Sequence, residues 1–298
     1  MAPVAERIRR EQYEFQVQWD ALREYAHAHG VSIVGDMPMY VSGDSADVWA
    51  NRDLFRLDAF GRAQVVAGTP PDAFSADGQV WGNPVYDWDA MRATGYDWWM
   101  RRLGRAFELY DYVRLDHFLG FSSFFAIPRG ERATEGRWRV GPGREIFEVA
   151  HERFGALPVI AEDLGLLTPA VRALVAACGF AGMDVSVFSD TFSEDGWVVP
   201  RGKVAYSSTH DTQTLVGWCA GRAGDDAAAA ASRALEACER SSADLVVVQL
   251  QDACGLGDDS RMNLPGVAEG NWSWVADARD IEAATRRMRS LAEQTGRL

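Results

Sequence analysis

Four short apolar runs in this chain each end in an acid, and stretches with helical patterning separate them. They are Val31-Ser-Ile-Val-Gly-Asp, ending at Asp36; Val113-Arg-Leu-Asp, ending at Asp116; Leu157-Pro-Val-Ile-Ala-Glu, ending at Glu162; and Val204-Ala-Tyr-Ser-Ser-Thr-His-Asp, ending at Asp211. Strands that alternate with helices predict a parallel α/β sheet. In such a sheet the chemistry gathers at the C-terminal ends of the strands, on the loops that follow. The four acids fall at those ends.

The stretch Val113–Phe118 is the most informative of them. As a strand it sends Val113 and Leu115 to one face, and Arg114 and Asp116 to the other. Strands covered on both faces are usually apolar throughout, so two charges aimed the same way need a reason. One reason is a buried Arg–Asp pair that ties the strand end. The other is a carboxylate held ionised by its neighbouring guanidinium, which makes a nucleophile. The residues alone leave both open, and the similar stretches downstream favour the second.

The remaining elements read as follows. Residues 6–29 form a helix stopped by Gly30. Residues 40–90 read as loop, with Gly, Pro, Asp and Ser interleaved with Trp49, Phe55, Phe74, Trp81, Tyr86 and Trp88. A helix follows over 89–108, then a strand over 111–116. After a connector containing Gly136–Gly143 and a helix over 144–154, Thr168 caps a helix that carries Pro169 at its first position. Met183–Phe188 reads as a strand, 226–240 as a helix, Leu245–Leu250 as a last strand and 277–296 as a C-terminal helix. No repeat or linker divides the chain, so a single catalytic domain over 1–298 is expected.

The formal net charge of −13 argues against nucleic acid and anionic membrane surfaces, which demand a basic face. No apolar run approaches spanning length and nothing resembles a signal peptide. Cys178, Cys219, Cys238 and Cys254 have no close paired spacing, so a reduced, cytoplasmic compartment is the simplest reading. Eleven tryptophans is a high count; aromatic faces on loops suit sugar rings, though core packing is the commoner use.

Glycoside chemistry needs two carboxyl groups flanking the scissile bond, one ionised and one protonated. Asp116 beside Arg114 suits the ionised role. Glu162 follows apolar residues, a setting that raises a carboxyl pKa toward the acid/base role, although an acid there can also cap the next helix. Asp211 follows His210, and both can hydrogen-bond sugar hydroxyls. A zinc site at His117 or His210/Asp211 is the rival, but no helix carries a second-ligand spacing, so no metal is expected.

At these residues the chain resembles the 4-α-glucanotransferases called amylomaltases or disproportionating enzymes, relatives of the α-amylase superfamily. The resemblance rests on Gly35-Asp-Met-Pro-Met-Tyr-Val, Asp44-Ser-Ala-Asp-Val-Trp-Ala-Asn, Gly68-Thr-Pro-Pro-Asp and Gly78-Gln-Val-Trp-Gly-Asn-Pro-Val-Tyr. It continues through Val113–Phe118, Ala161-Glu-Asp-Leu-Gly, Thr209-His-Asp, Arg261-Met-Asn-Leu-Pro-Gly and Glu269-Gly-Asn-Trp-Ser-Trp. It implies a (β/α)8 TIM barrel and a double displacement on α-1,4-glucans without a cofactor. Asp116 would form the glucosyl-enzyme, Glu162 would be the acid/base, and Asp211 would grip the sugar at the cleaved bond. Arg114, His117, His210 and Asp36 would surround that sugar, Gln79 and Trp81 would line the glucan groove, and Asn263 would join the substrate-binding set.

The chain also departs from the family pattern. Gly35–Val41 corresponds to a third barrel strand, which leaves six strands of eight. Another chain, an oligomer or an upstream stretch would then cover the open edge. Ala73, Leu119 and Thr212-Gln213 stand where the family usually has other residues, and 189–203 lacks its Asn/Pro-rich loop. Two further readings follow from this: an α-glucan hydrolase of the same superfamily, if the acceptor site admits water, or a truncated remnant without activity.

Overall fold

A computed structural model describes residues 2–71, 76–165, 167–267 and 269–298. The chain forms two compact units, one up to Phe180 and one from Ala181 to Leu298. The expectations on Ala73 and Phe74 lie outside the described residues.

The first unit opens with the helix Ala2–Ala28. Val31 N–H bonds back to Ala26 O at 2.9 Å, and Gly30 adopts φ +72°, which closes the helix in the left-handed turn that glycine permits. Trp19 Nε1 donates to Leu109 O at 3.0 Å and fixes this helix on the end of the helix Asp97–Leu109.

Seven strands follow: β1 Val34–Met37, β2 Val65–Thr69, β3 Gln79–Pro84, β4 Tyr112–Leu115, β5 Ser123–Pro128, β6 Arg137–Val140 and β7 Val159–Ala161. β1, β4 and β7 make a parallel sheet in that order. β3, β2, β5 and β6 make a separate antiparallel sheet. Its strands come from two crossovers, β2 and β3 lying between β1 and β4 in the chain, β5 and β6 between β4 and β7.

The second unit carries β8 Gly182–Val185, a small hairpin of β9 Phe192–Ser193 and β10 Gly196–Trp197, then β11 Lys203–Tyr206 and β12 Val246–Val247. β8, β11 and β12 form a parallel sheet in chain order. In each unit successive parallel strands are neighbours; helices join β1 to β4, β4 to β7 and β11 to β12, the repeat from which (β/α)8 barrels are built, whereas a 3₁₀ turn and the β9–β10 hairpin join β8 to β11.

Several expectations need correction. Residues 40–90 are not one loop, because β2, β3 and the helix Ala46–Ala50 lie within them. The strand pairing there is long-range, and a register shift between Val66 and Gly68 breaks the alternation. The helix expected over 89–108 is two helices, Trp88–Ala93 and Asp97–Leu109, parted where Gly95 and Tyr96 take φ +62° and +56°. Beyond Val185 the expected strand becomes a 3₁₀ turn over Ser186–Phe188, and the last strand is only Val246–Val247, followed by the helix Leu250–Cys254. Thr168 caps its helix as expected, accepting from Val171 N.

The core of the first unit is largely aromatic. Tyr86, Trp88, Trp98, Trp99, Phe118, Phe121 and Phe147 are buried together, several of them edge-on. Three of the tryptophans are therefore packing residues, and Trp197 is buried in the second unit. Trp49 and Trp272 stay exposed, and Trp81 is half-buried.

Candidate active site

Parallel pairing of β1 with β4 sets Asp36 directly opposite Arg114. The Arg114 guanidinium then reaches both neighbouring acids, Asp36 at 2.7 Å and Asp116 at 3.0 Å. Val113 and Leu115 point the other way and are fully buried, as alternation requires. Arg114 is only 8% exposed. Burial works against its charge, but Asp36, Asp116 and Glu162 outweigh burial and raise its pKa. Its side chain therefore acts as a fixed cation with two carboxylates in front of it.

Pairing of β4 with β7 brings Leu115 beside Ala161, so Asp116 and Glu162 leave adjacent strands at the same level. Neighbouring strands lie about 4.8 Å apart. The ladder runs on by one residue on each strand, with Asp116 N donating to Met37 O and Glu162 N to Leu115 O. Asp116 remains partly open, its side chain 38% exposed, whereas Glu162 is 9% exposed.

The Glu162 carboxylate accepts from His117 N at 2.8 Å and from Leu164 N at 3.1 Å. Those amides and Arg114 favour ionisation. Burial opposes them most strongly, Asp116 adds to it, and the pKa is pushed up to about 8. Two carboxyl groups one strand apart therefore stand in different environments. One is salt-bridged and open, and the other is buried with its pKa raised.

His117 reaches this position through an unusual backbone, φ +50° in the left-handed region. That turn aims its N–H at Glu162. Its ring is half-buried with Nε2 shut off from solvent, which pushes its pKa down to about 4 and keeps it neutral. Trp81 stands edge-on to that ring at 4.8 Å, with Tyr40 at 6.2 Å. Along β3, Gln79, Trp81 and Asn83 share one face, half-buried, while Val80 and Gly82 face out. Trp81 Nε1 donates to Gln79 Oε1 at 3.1 Å, and Asn83 Nδ2 donates to Val41 O at 3.0 Å. The first unit thus gathers Asp36, Gln79, Trp81, Arg114, Asp116, His117 and Glu162.

Within the second unit, Asp211 stands on the loop after β11. His210 Nε2 lies 3.1 Å from its carboxylate, and Asn263 Nδ2 donates to the other oxygen at 2.5 Å. Arg261 braces the same turn, donating to the main-chain oxygens of Asp211 at 2.5 Å and of Asn263 at 2.8 Å. Trp272 lies 5.2 Å from the His210 ring. The sequence reading picked out His210, Asp211 and Asn263, and these three meet. It missed Tyr40, Arg261 and Trp272 as individual residues, although all three stand inside stretches quoted above.

The divergent positions have structural work here. Thr212 Oγ1 accepts from Thr209 N at 2.9 Å, Gln213 Nε2 donates to Asp258 at 2.7 Å, and Leu119 is buried. Among the described residues no group of three His, Cys, Asp or Glu could hold a metal ion, and no helix is long and apolar enough to cross a membrane.

A family model described as 4-alpha-glucanotransferase matches residues 4–279. A 4-alpha-glucanotransferase of Synechocystis sp. is 43% identical over 277 residues, covering 86% of this chain and 55% of that protein. One of Thermus thermophilus is 40% identical over 312 residues, covering 96% of this chain and 62% of that protein. The chain spans roughly half to three fifths of the length of the curated relatives it matches. Among solved structures, the amylomaltase from Streptococcus agalactiae in complex with acarbose aligns with TM-score 0.88 and 34% identity over 96% of this chain and 61% of that one. The amylomaltase from Corynebacterium glutamicum aligns at TM-score 0.75 with 20% identity, covering 94% of this chain and 48% of that one, a likeness of fold alone. The fold class is the (β/α)8 TIM-barrel type, represented here by six parallel strands, three in each unit.

Proposed function

The chain belongs to the 4-alpha-glucanotransferase family, and from that premise we propose that it transfers segments of α-1,4-glucan by a retaining double displacement. The observation that carries this reading is the pairing of an open, salt-bridged Asp116 with a buried Glu162 whose pKa stands at about 8. Retaining glycosidases hold their two carboxyl groups roughly 5–5.5 Å apart. Adjacent parallel strands, about 4.8 Å apart, suit that separation.

In the first step an Asp116 oxygen attacks the anomeric carbon while the bond to the leaving oxygen breaks. Glu162 gives its proton to that oxygen. In the second step Glu162 takes the proton from the 4-OH of an acceptor glucan or glucose, whose oxygen displaces Asp116 and restores the starting configuration. Arg114 holds Asp116 and Asp36 in place and compensates their charge. We assign Asp211, with His210 and Asn263, to gripping the sugar at the cleaved bond, and Gln79 and Trp81 to the glucan groove. The closeness of Trp81 to His117 supports a groove that leads to Glu162. Four cysteines outside any disulfide support a reducing, cytoplasmic location.

The test is to incubate the purified chain with maltotriose and separate the products by size. Longer maltooligosaccharides together with glucose are expected. Glucose and maltose alone would replace transfer by hydrolysis. An absence of product, or full activity in Asp116→Asn or Glu162→Gln, would overturn the assignment.

A further inference from the structure

The loop Ser207–Leu215 leaves the end of β11 and runs into the helix Leu215–Ala223. It carries His210 and Asp211 at its middle. One buried carboxylate, on the short helix Leu250–Cys254, meets both ends of this loop. Asp252 Oδ2 accepts from the Ser207 and Ser208 hydroxyls at 2.6 and 2.5 Å. Asp252 Oδ1 accepts from Leu215 N at 2.7 Å. Both serines are fully buried, and Asp252 itself is 3% exposed.

We infer that Asp252 is a positioning residue whose carboxylate closes the root of this loop and so fixes where His210 and Asp211 stand. This inference rests on the role assigned above to Asp211. A carboxyl group in such a place is costly, and a well-packed apolar side chain is often at least as stabilising. Helix capping accounts only for the bond from Leu215 N, a first-turn amide, and not for the two serine hydroxyls. Thr214 caps the helix Leu215–Ala223, accepting from Gly217 N, and Asp258 takes the Thr214 amide at 3.0 Å. What Asp252 adds is a tie between two points of the chain on either side of the functional residues. Burial raises its pKa overall, against the smaller pull of the Leu215 amide, the two hydroxyls and Arg287.

The surrounding segment supports the same work. Gln251 Nε2 donates to Ser260 O at 3.1 Å, just ahead of Arg261 and Asn263, which hold Asp211 directly. Residues 251–263 thus brace the loop at its root through Asp252, at its exit through Asp258, and at its apex through Arg261 and Asn263.

Two variants test this by separate routes. Asp252→Asn keeps one acceptor oxygen but sets an NH₂ against two hydroxyl donors or the Leu215 amide. The double variant Ser207→Ala/Ser208→Ala removes the two hydroxyl bonds from the other side and leaves the Asp252 carboxyl group and its bond from Leu215 N in place. Amide hydrogen exchange would be followed in 207–215 and, as an internal reference, in the helix Ala227–Glu239. Both variants should speed exchange in the loop about tenfold or more and leave the reference helix unchanged. In maltotriose transfer both should lower kcat more than they raise KM. Combining either with Asp211→Asn should add no loss beyond that of Asp211→Asn alone, because both changes act through one residue.

Unchanged loop exchange in both variants would overturn the inference. So would equal acceleration in loop and reference helix in both, or losses that multiply when combined with Asp211→Asn. If the unmodified chain makes no product while loop exchange responds as expected, Asp252 still positions the loop and the transfer reading is what falls.

Discussion

At the scale of single residues, the decisive contrast is between two carboxyl groups on neighbouring strands. Glu162 is raised to about 8, from 4.5 in the absence of the fold. Transfer needs its proton in the first step, so the rate should fall as pH rises through about 8, measured as initial velocity on maltotriose. The same shift acts on stability. Below about 4.5 the carboxyl is neutral in both folded and unfolded chains, and above that value the unfolded chain gives up the proton first. Stability contributed at this site therefore declines between the two values by about 1.4 kcal/mol per pH unit. Glu162→Gln, which has no charge to bury, should become progressively more stable relative to the unmodified chain from pH 4.5 to 8 in denaturant titrations. An advantage that does not grow with pH would show that burial does not govern this carboxyl. The Arg114–Asp116 pair was legible from alternation alone, and the apolar run before Glu162 pointed to its raised pKa. The left-handed turn at His117 was not legible, because nothing about a histidine in Asp-His-Phe announces φ +50°. It is the surrounding contacts, including the hydrogen bond its N–H donates to the Glu162 carboxyl, that hold it there.

At the scale of elements, the parallel strands carry the proposed chemistry and the antiparallel sheet carries the proposed groove. Gly35 shows how tightly the first is built, since a Cβ there would lie 2.1 Å from the Tyr110 ring. Gly35→Ala should cost about 1–3 kcal/mol in a denaturant titration, and it should also slow transfer because Asp36 follows immediately. Trp81, on β3, should act mainly in binding. Trp81→Ala should weaken maltooligosaccharide affinity several-fold, corresponding to about 1 kcal/mol, and change kcat less, as measured by calorimetry beside kinetics. Of the parallel strands, β1, β4, β7 and β11 were the most legible in the sequence, because each is a short apolar run that leads to an acid. β2 and β3 could not, since their partners lie far along the chain, their alternation is broken by a register shift, and Gln79, Trp81 and Asn83 face inward where apolar residues are usual.

At the scale of the whole molecule, the first helix leaves an apolar stripe uncovered. Val4, Ile8, Phe15 and Leu22 recur at helical spacing and are each about half exposed. β1 is also an edge strand of its sheet. Replacing Ile8 and Phe15 by Gln should reduce binding of a hydrophobic dye while changing stability by no more than about 0.5 kcal/mol. Unchanged dye binding would mean that the stripe does not form an accessible surface. The two sheets of the first unit are also interleaved along the chain: β2 lies between β1 and β4, and its partner β5 lies beyond β4. Closing either pairing shortens the loop that the other must close, so each lowers the entropic barrier to the next. The parallel strands and the antiparallel strands of the first unit should therefore appear together during refolding. Tryptophan fluorescence and recovery of transfer would share one rate, and no partly folded species would hold the acids in place while the antiparallel sheet beside them was still missing.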